Sequence, residues 1–251
     1  MRSAKMSAVP QVFWITPLGW YHLLLFGILL PWMAWRSQQK LAMRPLPPRA
    51  RHFVSTSITI LLFAAFSTWT ARGHSLALFP PRLPRLTGIV AGVVMLILAV
   101  IGMRPRWRRA VERRARIAYL FMPRTAKERL LWGLLAASAA IGEEITWRGV
   151  QPALASFVVH NTLLGAVLTA ISFGFAHMLQ GWRSSAIIVL FALGFQMTVW
   201  LSGSLYVAML VHFLYDLTAG FTYGRFGREL GYPMNAMLPS VPSAPIETSA
   251  T

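Results

Sequence analysis

The sequence predicts an all-α fold, a polytopic membrane bundle of about seven to eight transmembrane helices. Of its 251 residues, 56% are hydrophobic and only 12% are charged, and the mean hydropathy is positive. Apolar segments long enough for a membrane helix recur along the whole chain. The sequence contains no cysteine, which excludes disulfides, thiolate metal sites and a thiol nucleophile.

Seven segments are predicted to cross the membrane. The first is bracketed by Trp14 and Trp32, which suit the two membrane interfaces, and it ends without the small-residue cleavage site of a signal peptide. The connection Ser202-Gly203-Ser204 is so short that the last two spans must form an antiparallel hairpin. Residues 149–160 form an eighth element if they make a separate half-helix. The predicted spans are 13–35, 53–71, 86–103, 130–147, 162–180, 185–201 and 204–223.

Basic residues are concentrated in two segments between spans. Ten of the 24 lie between Arg104 and Arg129, and five more lie between Arg36 and Arg51. By the positive-inside rule both segments are cytoplasmic, which places the N-terminus outside and the C-terminus inside. The formal charge of +17 therefore predicts contact between the 104–129 segment and anionic lipid headgroups. Nucleic acid is not an expected partner, because nothing around these residues resembles a nucleic-acid-binding module.

Acidic residues are rare, and three of them fall inside predicted membrane spans. Glu143 and Glu144 are adjacent in the fourth span, and Asp216 lies in the last. A charged side chain at the centre of a membrane helix costs about 2.5–3.5 kcal/mol on insertion scales. Such residues are therefore seldom retained for packing alone, and they indicate a functional site.

Three short patterns follow one another on separate hydrophobic segments: Glu143-Glu144-x-x-x-Arg148, Phe173-x-x-x-His177 and His212-x-x-x-Asp216. Residues four apart share a helix face, so each pattern places two functional side chains together. Glu143 points about 100° away from Glu144 and is free to meet a different partner. One helix thus offers a structural ion pair, Glu144 with Arg148, and a separate carboxylate for chemistry.

This ordered set resembles the CPBP family of glutamic-type intramembrane endopeptidases, also called Abi, which includes the CaaX prenyl proteases of the Rce1 type. The resemblance implies that Glu143 activates a water molecule for attack on a peptide carbonyl. It implies that His177 holds that water or moves its proton, and that His212 and Asp216 line the oxyanion site. Glu144, Arg148 and Phe173 would support these four. The sequence departs from the eukaryotic members at Asp216, where they have Asn and bacterial relatives allow Asp.

Asp216 has two possible roles, since an ionised carboxylate cannot donate to an oxyanion. Either it is protonated and donates, or it is ionised and orients His212. No metal or other cofactor is expected. Zinc held by Glu143, His177 and His212 is the alternative, because two histidines and one carboxylate can bind Zn²⁺. The other histidines, His22, His52, His74 and His160, match no motif and are interpreted as interfacial or loop residues.

The predicted function is hydrolysis of a peptide bond near the C-terminus of a membrane-anchored or lipidated protein or peptide, as in CaaX processing or the processing of C-terminal sorting signals. The alternative is a non-catalytic Abi-type protein that serves bacteriocin self-immunity or acts as a membrane scaffold. The expected location is a bacterial inner membrane. Residues 1–129 form an N-terminal three-span region, 130–223 the catalytic core and 224–251 a flexible tail. Oligomeric state and substrate identity are not predicted.

Overall fold

A computed structural model describes residues 15–40 and 45–233, and in these ranges the chain folds entirely into helices and their connections. Two 3₁₀ turns, Arg116–Phe121 and Met178–Gln180, precede the fourth and seventh helices. The α-helices are α1 Pro17–Lys40, α2 Arg49–Gly73, α3 Leu86–Glu112, α4 Ala126–Glu144, α5 Gln151–Val159, α6 Thr162–Ala176, α7 Trp182–Ser202 and α8 Leu205–Glu229.

Polar side chains cap the beginnings of several helices. Thr125 accepts a hydrogen bond from the Glu128 N–H, and the Glu128 carboxylate accepts one from the Thr125 N–H, which makes a capping box for α4. Asn161 and Ser204 cap α6 and α8 in the same way with single bonds. These residues satisfy backbone donors that would otherwise be unpaired at the helix ends.

Five of the described helices, α1, α2, α3, α7 and α8, are long and apolar enough to cross a membrane. The fourth and fifth predicted spans correspond to the helical run that begins with α4 and to the shorter apolar helix α6. The predicted all-helical bundle is therefore confirmed, and the protein is an integral membrane protein.

The limits predicted around residues 130–160 are wrong. A π-helical turn, Ile145–Val150, joins α4 to α5, so helical structure continues from Ala126 to Val159. Residues 149–160 are thus a continuation of the helix and not a separate half-helix. Pro152 is tolerated because it lies in the first turn of α5, directly after the π turn, where the regular hydrogen-bond register is already interrupted.

The basic segment is also more ordered than a loop. Helix α3 continues through Pro105 to Glu112, nine residues beyond the predicted end of the span. Arg49, at the start of α2, is only 5% exposed, and its guanidinium lies 3.0 Å from Glu128 and 4.5 Å from the Tyr119 ring centroid. The first residues of the predicted tail are packed as well, since the Tyr232 hydroxyl donates to the Ala115 carbonyl. Residues 234–251 of that tail lie outside the described residues.

Glycines allow close helix contacts at several crossings. A Cβ atom on Gly88 would overlap the Ser202 backbone, and one on Gly220 would overlap the Trp132 indole. A Cβ atom on Gly92 would lie 3.0 Å from the side chains of Val207 and Val211 of α8, a tight contact without overlap. These crossings hold α3 against α7 and α8, and they hold α8 against α4, the helix that carries the paired glutamates.

Gly88→Ala should lower the thermal unfolding temperature of the detergent-solubilised protein, because its methyl group would meet the Ser202 backbone and overpacking costs about 1–3 kcal/mol. Gly102→Ala, in the same helix, is the matched control, since its methyl group would extend into open space. It should be neutral or stabilising, because Ala favours helix. Equal unfolding temperatures for the two variants would contradict this account of the α3–α7 crossing.

Candidate active site

The paired glutamates are the last two residues of α4, directly before the π turn. Glu144 is 0% exposed, whereas the Glu143 side chain keeps 17% of its surface accessible. Their different surroundings follow from the helix, since neighbouring residues point in directions about 100° apart. Glu144 is turned into the protein, and Glu143 is turned toward a cavity.

Glu144 contacts two of the other motif residues at once. Its Oε1 accepts a hydrogen bond of 2.8 Å from His212 Nδ1, and its Oε2 lies 3.4 Å from Arg148 Nε. The second contact is an ion pair that lacks hydrogen-bond geometry. The predicted pair with Arg148 is therefore present, but the bond to His212 was not predicted. It fixes the tautomer of His212, because Nδ1 must carry the hydrogen that it donates to a carboxylate.

Arg148 is held mainly by aromatic rings. Its guanidinium carbon lies 4.2 Å from the centroid of the Phe173 ring and 5.1 Å from that of Phe195. Its two terminal nitrogens have no hydrogen-bond partner within the described part of the chain. Cation–π contacts of this kind are strongest where water is excluded, and Arg148 is only 4% exposed. Phe173 therefore contacts the guanidinium of Arg148 and also packs in the core.

His177 lies at the C-terminal cap of α6. Its Nδ1 donates to the Phe173 carbonyl at 2.9 Å, and its ring lies 4.4 Å from the Phe173 ring. Its Nε2 is directed at Glu143, with 3.9 Å between Nε2 and Oε2. The 3₁₀ turn Met178–Gln180 then leads to α7. The end of α6 thus brings this imidazole to the paired acids.

His212 Nε2 faces two carboxylates. It is 3.4 Å from Asp216 Oδ2 and 3.9 Å from Glu143 Oε2. The Trp132 indole donates to the Asp216 backbone carbonyl and so holds this part of α8 against α4. The structure therefore brings together all seven residues of the three motifs. Glu143 of the first motif faces His177 of the second and His212 of the third.

Residues 125–218, which include these motifs, match the family model described as Rce1-like, type II CAAX prenyl endopeptidase Rce1-like. This segment is an Rce1-like domain. The family is one of CAAX-type intramembrane proteases, and the segment that carries the three motifs is similar to it. No curated protein and no solved structure matches the chain.

A cavity of about 460 Å³ leads from the motif residues of the Rce1-like domain to the basic end of the bundle. Glu143, His177, His212 and Asp216 line its inner part. Ala115 and Ile117, which follow the arginine-rich end of α3, line its other end. The cavity beside the catalytic candidates of the Rce1-like domain thus extends to residues at the basic end of α3.

Helices outside the matched segment contribute to this cavity. His52, in the first turn of α2, lines it, which the interpretation of this histidine as an interfacial or loop residue did not anticipate. No sequence pattern indicates this, because the contact depends on how α2 packs on α4. Trp107 and Arg106 of α3 line the cavity as well.

His22 is buried inside α1 and is neither interfacial nor in a loop as predicted, whereas His74 lies in the turn after α2 and is buried there. His22 is 0% exposed, and its ring is bonded to Gln151 at 2.7 Å and to Ser67 at 2.9 Å. Ser67 is in turn 2.9 Å from the Thr146 hydroxyl in the π turn. This polar chain connects α1 and α2 to the turn that follows Glu144. His160, exposed at the end of α5, is the loop residue that was predicted.

Across residues 15–40 and 45–233, no group of three or more histidines, aspartates or glutamates has an arrangement that could hold a metal ion. Of the three alternative zinc ligands, Glu143 lies 3.9 Å from both imidazole Nε2 atoms. Because both Nδ1 atoms already have hydrogen-bond partners, each ring presents only its Nε2 to the cavity.

Arg148→Met should destabilise the protein by about 3–5 kcal/mol, because it leaves the Glu144 carboxylate buried without its counter-ion. Thermal unfolding in detergent, followed by tryptophan fluorescence, measures the change. Arg225→Met is the matched control, since Arg225 forms an ion pair of the same i,i+4 spacing with Glu229 on an exposed surface. That control should unfold like the wild type. If Arg148→Met has normal stability and loses only activity, the ion pair of Glu144 and Arg148 contributes to the chemical step and not to stability.

Proposed function

We propose that the protein is a glutamate-dependent intramembrane endopeptidase that cleaves near the C-terminus of a membrane-anchored or lipidated substrate. One observation carries the proposal: a partly accessible carboxylate, Glu143, faces the Nε2 atoms of two histidines at the inner end of a cavity. Paired acids and imidazoles in a membrane interior are the components of general acid–base chemistry.

The separations around Glu143 suit a water molecule held between these groups. At 3.9 Å its carboxylate is too far from either imidazole for a direct hydrogen bond, and one water can bridge groups at such distances. His177 donates from Nδ1 to a backbone carbonyl, so its neutral ring offers a lone pair at Nε2. It can therefore accept one hydrogen of the water while Glu143 accepts the other.

In the proposed reaction Glu143 takes a proton from the water molecule. At the same time the oxygen of that water bonds to the carbonyl carbon of the substrate. The carbonyl π electrons move onto oxygen and form the oxyanion of a tetrahedral intermediate. When the C–N bond breaks, Glu143 returns the proton to the leaving amine, and the products are a carboxylic acid and an amine. No covalent enzyme intermediate is needed.

The oxyanion would be stabilised by His212 and Asp216. Because His212 already uses Nδ1 as a donor to Glu144, its Nε2 donates only when the ring is protonated. The neighbouring carboxylates of Glu144 and Glu143 favour that charged form through simple Coulomb attraction. Asp216, which faces the same Nε2, is proposed to be protonated and to donate a second hydrogen bond to the oxyanion.

We also propose that the cavity opens to the cytoplasm of a bacterial cell. The residues that line the cavity include several at the arginine-rich end of α3. By the positive-inside rule that end lies in the cytoplasm. The N-terminus would then lie outside and the C-terminus inside. The arginines of the 104–129 segment would contact anionic headgroups around the cavity entrance.

Glu143→Gln should abolish proteolysis, with a loss of at least about 10²–10⁴-fold, because Gln keeps the size of the side chain and removes the base. The membrane proteomes of cells with the wild-type and Gln proteins are compared by mapping C-termini, and substrates lose their processed ends in the variant. An unchanged unfolding temperature of the purified variant shows that it is folded. Cleavage by the folded variant would refute the glutamate mechanism, and identical C-termini in both cells would favour a non-catalytic protein.

Chelation tests the proposal that no metal takes part. Purified wild-type protein should keep its activity on a mapped substrate peptide after dialysis against EDTA or 1,10-phenanthroline, since the water is held by side chains alone. Activity that is lost in chelator and restored by zinc would instead support the zinc site of Glu143, His177 and His212.

Asp216→Asn should retain much of the activity if Asp216 acts as a protonated donor, because the amide donates from nearly the same volume, whereas Asp216→Ala should not. A pH–rate profile of the wild type and both variants distinguishes the second role. If an ionised Asp216 stabilises the charged His212 ring, the Asn variant lacks this negative charge and its His212 loses the proton at lower pH. The alkaline limb of the pH–rate profile of Asp216→Asn then moves to lower pH. An inactive Asn variant would exclude the donor role.

A further inference from the structure

Arg106 lies where two cavities meet. It lines the chamber that contains Glu143, and it also lines a separate groove of about 580 Å³ between α3 and α7. The groove is otherwise lined by small and apolar side chains and by Thr198. In the part of the chain that the structure describes, Arg106 is the one arginine or lysine in contact with either cavity.

The neighbouring arginines are placed differently. Arg108 is paired with Glu112 on the exposed surface, Arg109 donates to the Pro105 carbonyl, and Arg104 lines neither cavity. Arg106 itself has no ion-pair partner among the described residues. Trp107, only 3% exposed, packs against Tyr215 and fixes the rotation of α3 at this level.

The direction of α3 also favours a role inside the chamber. Side chains on a helix lean toward its N-terminus, and for Arg106 that direction is deeper into the membrane and toward the motif residues. Arg106, which is exposed at this end of the bundle, thus brings a positive charge to the entrance of a chamber whose inner end carries the Glu143 carboxylate. An anionic group that enters the chamber is attracted to Arg106 at the entrance.

We propose that Arg106 binds the free C-terminal carboxylate of the substrate, an assignment that rests on the proposed function. A guanidinium offers two parallel N–H donors that match a carboxylate. With the carboxylate at Arg106, the substrate chain runs inward, so that the scissile bond lies at Glu143 and the released fragment lies between the two residues. Arg106 would then select chain ends over internal peptide segments.

The length of the released fragment follows from the geometry of α3. Gly92 packs against Val211, the residue before His212. Arg106 lies about 21 Å further along the helix at 1.5 Å per residue. An extended peptide covers this distance with about six residues, and the reach of the arginine side chain shortens it further. The proposal therefore predicts cleavage within about six residues of the substrate C-terminus.

The test uses the C-terminal segment of a substrate identified by C-terminal mapping, synthesised once as the free acid and once as the carboxamide. The wild-type protein should cleave the acid with a kcat/KM about five- to tenfold higher, and this preference should shrink as salt is added. Arg106→Gln should cleave both peptides equally, at the lower rate. Arg104→Gln, which changes a neighbouring charge outside the cavities, should keep the preference.

The outcomes separate this inference from the proposed function. If the wild-type protein cleaves neither peptide, the proposed function fails. If it cleaves acid and amide equally, or if Arg106→Gln keeps the preference, endopeptidase activity stands and the carboxylate site is refuted. A third result, in which Arg106→Gln slows both peptides by the same factor and only in vesicles with anionic lipid, would also refute it. Arg106 would then bind a lipid headgroup.

Discussion

The buried carboxylate of Glu144 is the group on which the rest of the site depends. It is fully enclosed, and it contacts the arginine of its own helix and the histidine of α8. A charge in such a place is stable only while both partners remain, because an unpaired charge in low dielectric costs several kcal/mol. The same bond sets the hydrogen on His212 Nδ1 and turns its Nε2 toward Glu143. One electrostatic requirement thereby fixes the separation of α4 from α8 and the tautomer of an imidazole in the cavity.

Two aromatic rings pack around the charged and imidazole groups that Glu144 brings together. Phe173 and Phe195 cover the Arg148 guanidinium, and the same two rings lie against His177 and His212 respectively. The charges of the first motif are therefore shielded from water by residues that also orient the imidazoles. Glu143 is the exception, and its partial exposure is what leaves it accessible to water and substrate.

The helical class and the motif residues were predictable because hydrophobic length and i,i+4 spacing are local properties of the chain. The bond between Glu144 and His212 was not, since it joins residues 68 positions apart and depends on the packing of α8 against α4. The continuous helix through residue 150 was missed for a different reason. A π turn leaves no mark in hydropathy, so the sequence did not show that the helix continues past residue 147, the predicted end of the fourth span. His52 and Arg106 likewise depend on which faces of α2 and α3 turn inward.

The polar chain from His22 through Ser67 to Thr146 has a consequence for how this protein can be divided. Two of its members, His22 and Ser67, belong to helices that precede residue 125, where the Rce1-like match begins. Ser67 bonds to Thr146 in the π turn directly behind the paired glutamates, and His22 bonds to Gln151 just after that turn. A transplant of the matched segment into another protein would leave Thr146 and Gln151 facing lipid or foreign side chains. A chimera of this protein should therefore exchange α1 and α2 together with the segment that carries the motifs, because the polar contacts behind the paired glutamates extend beyond residues 125–218.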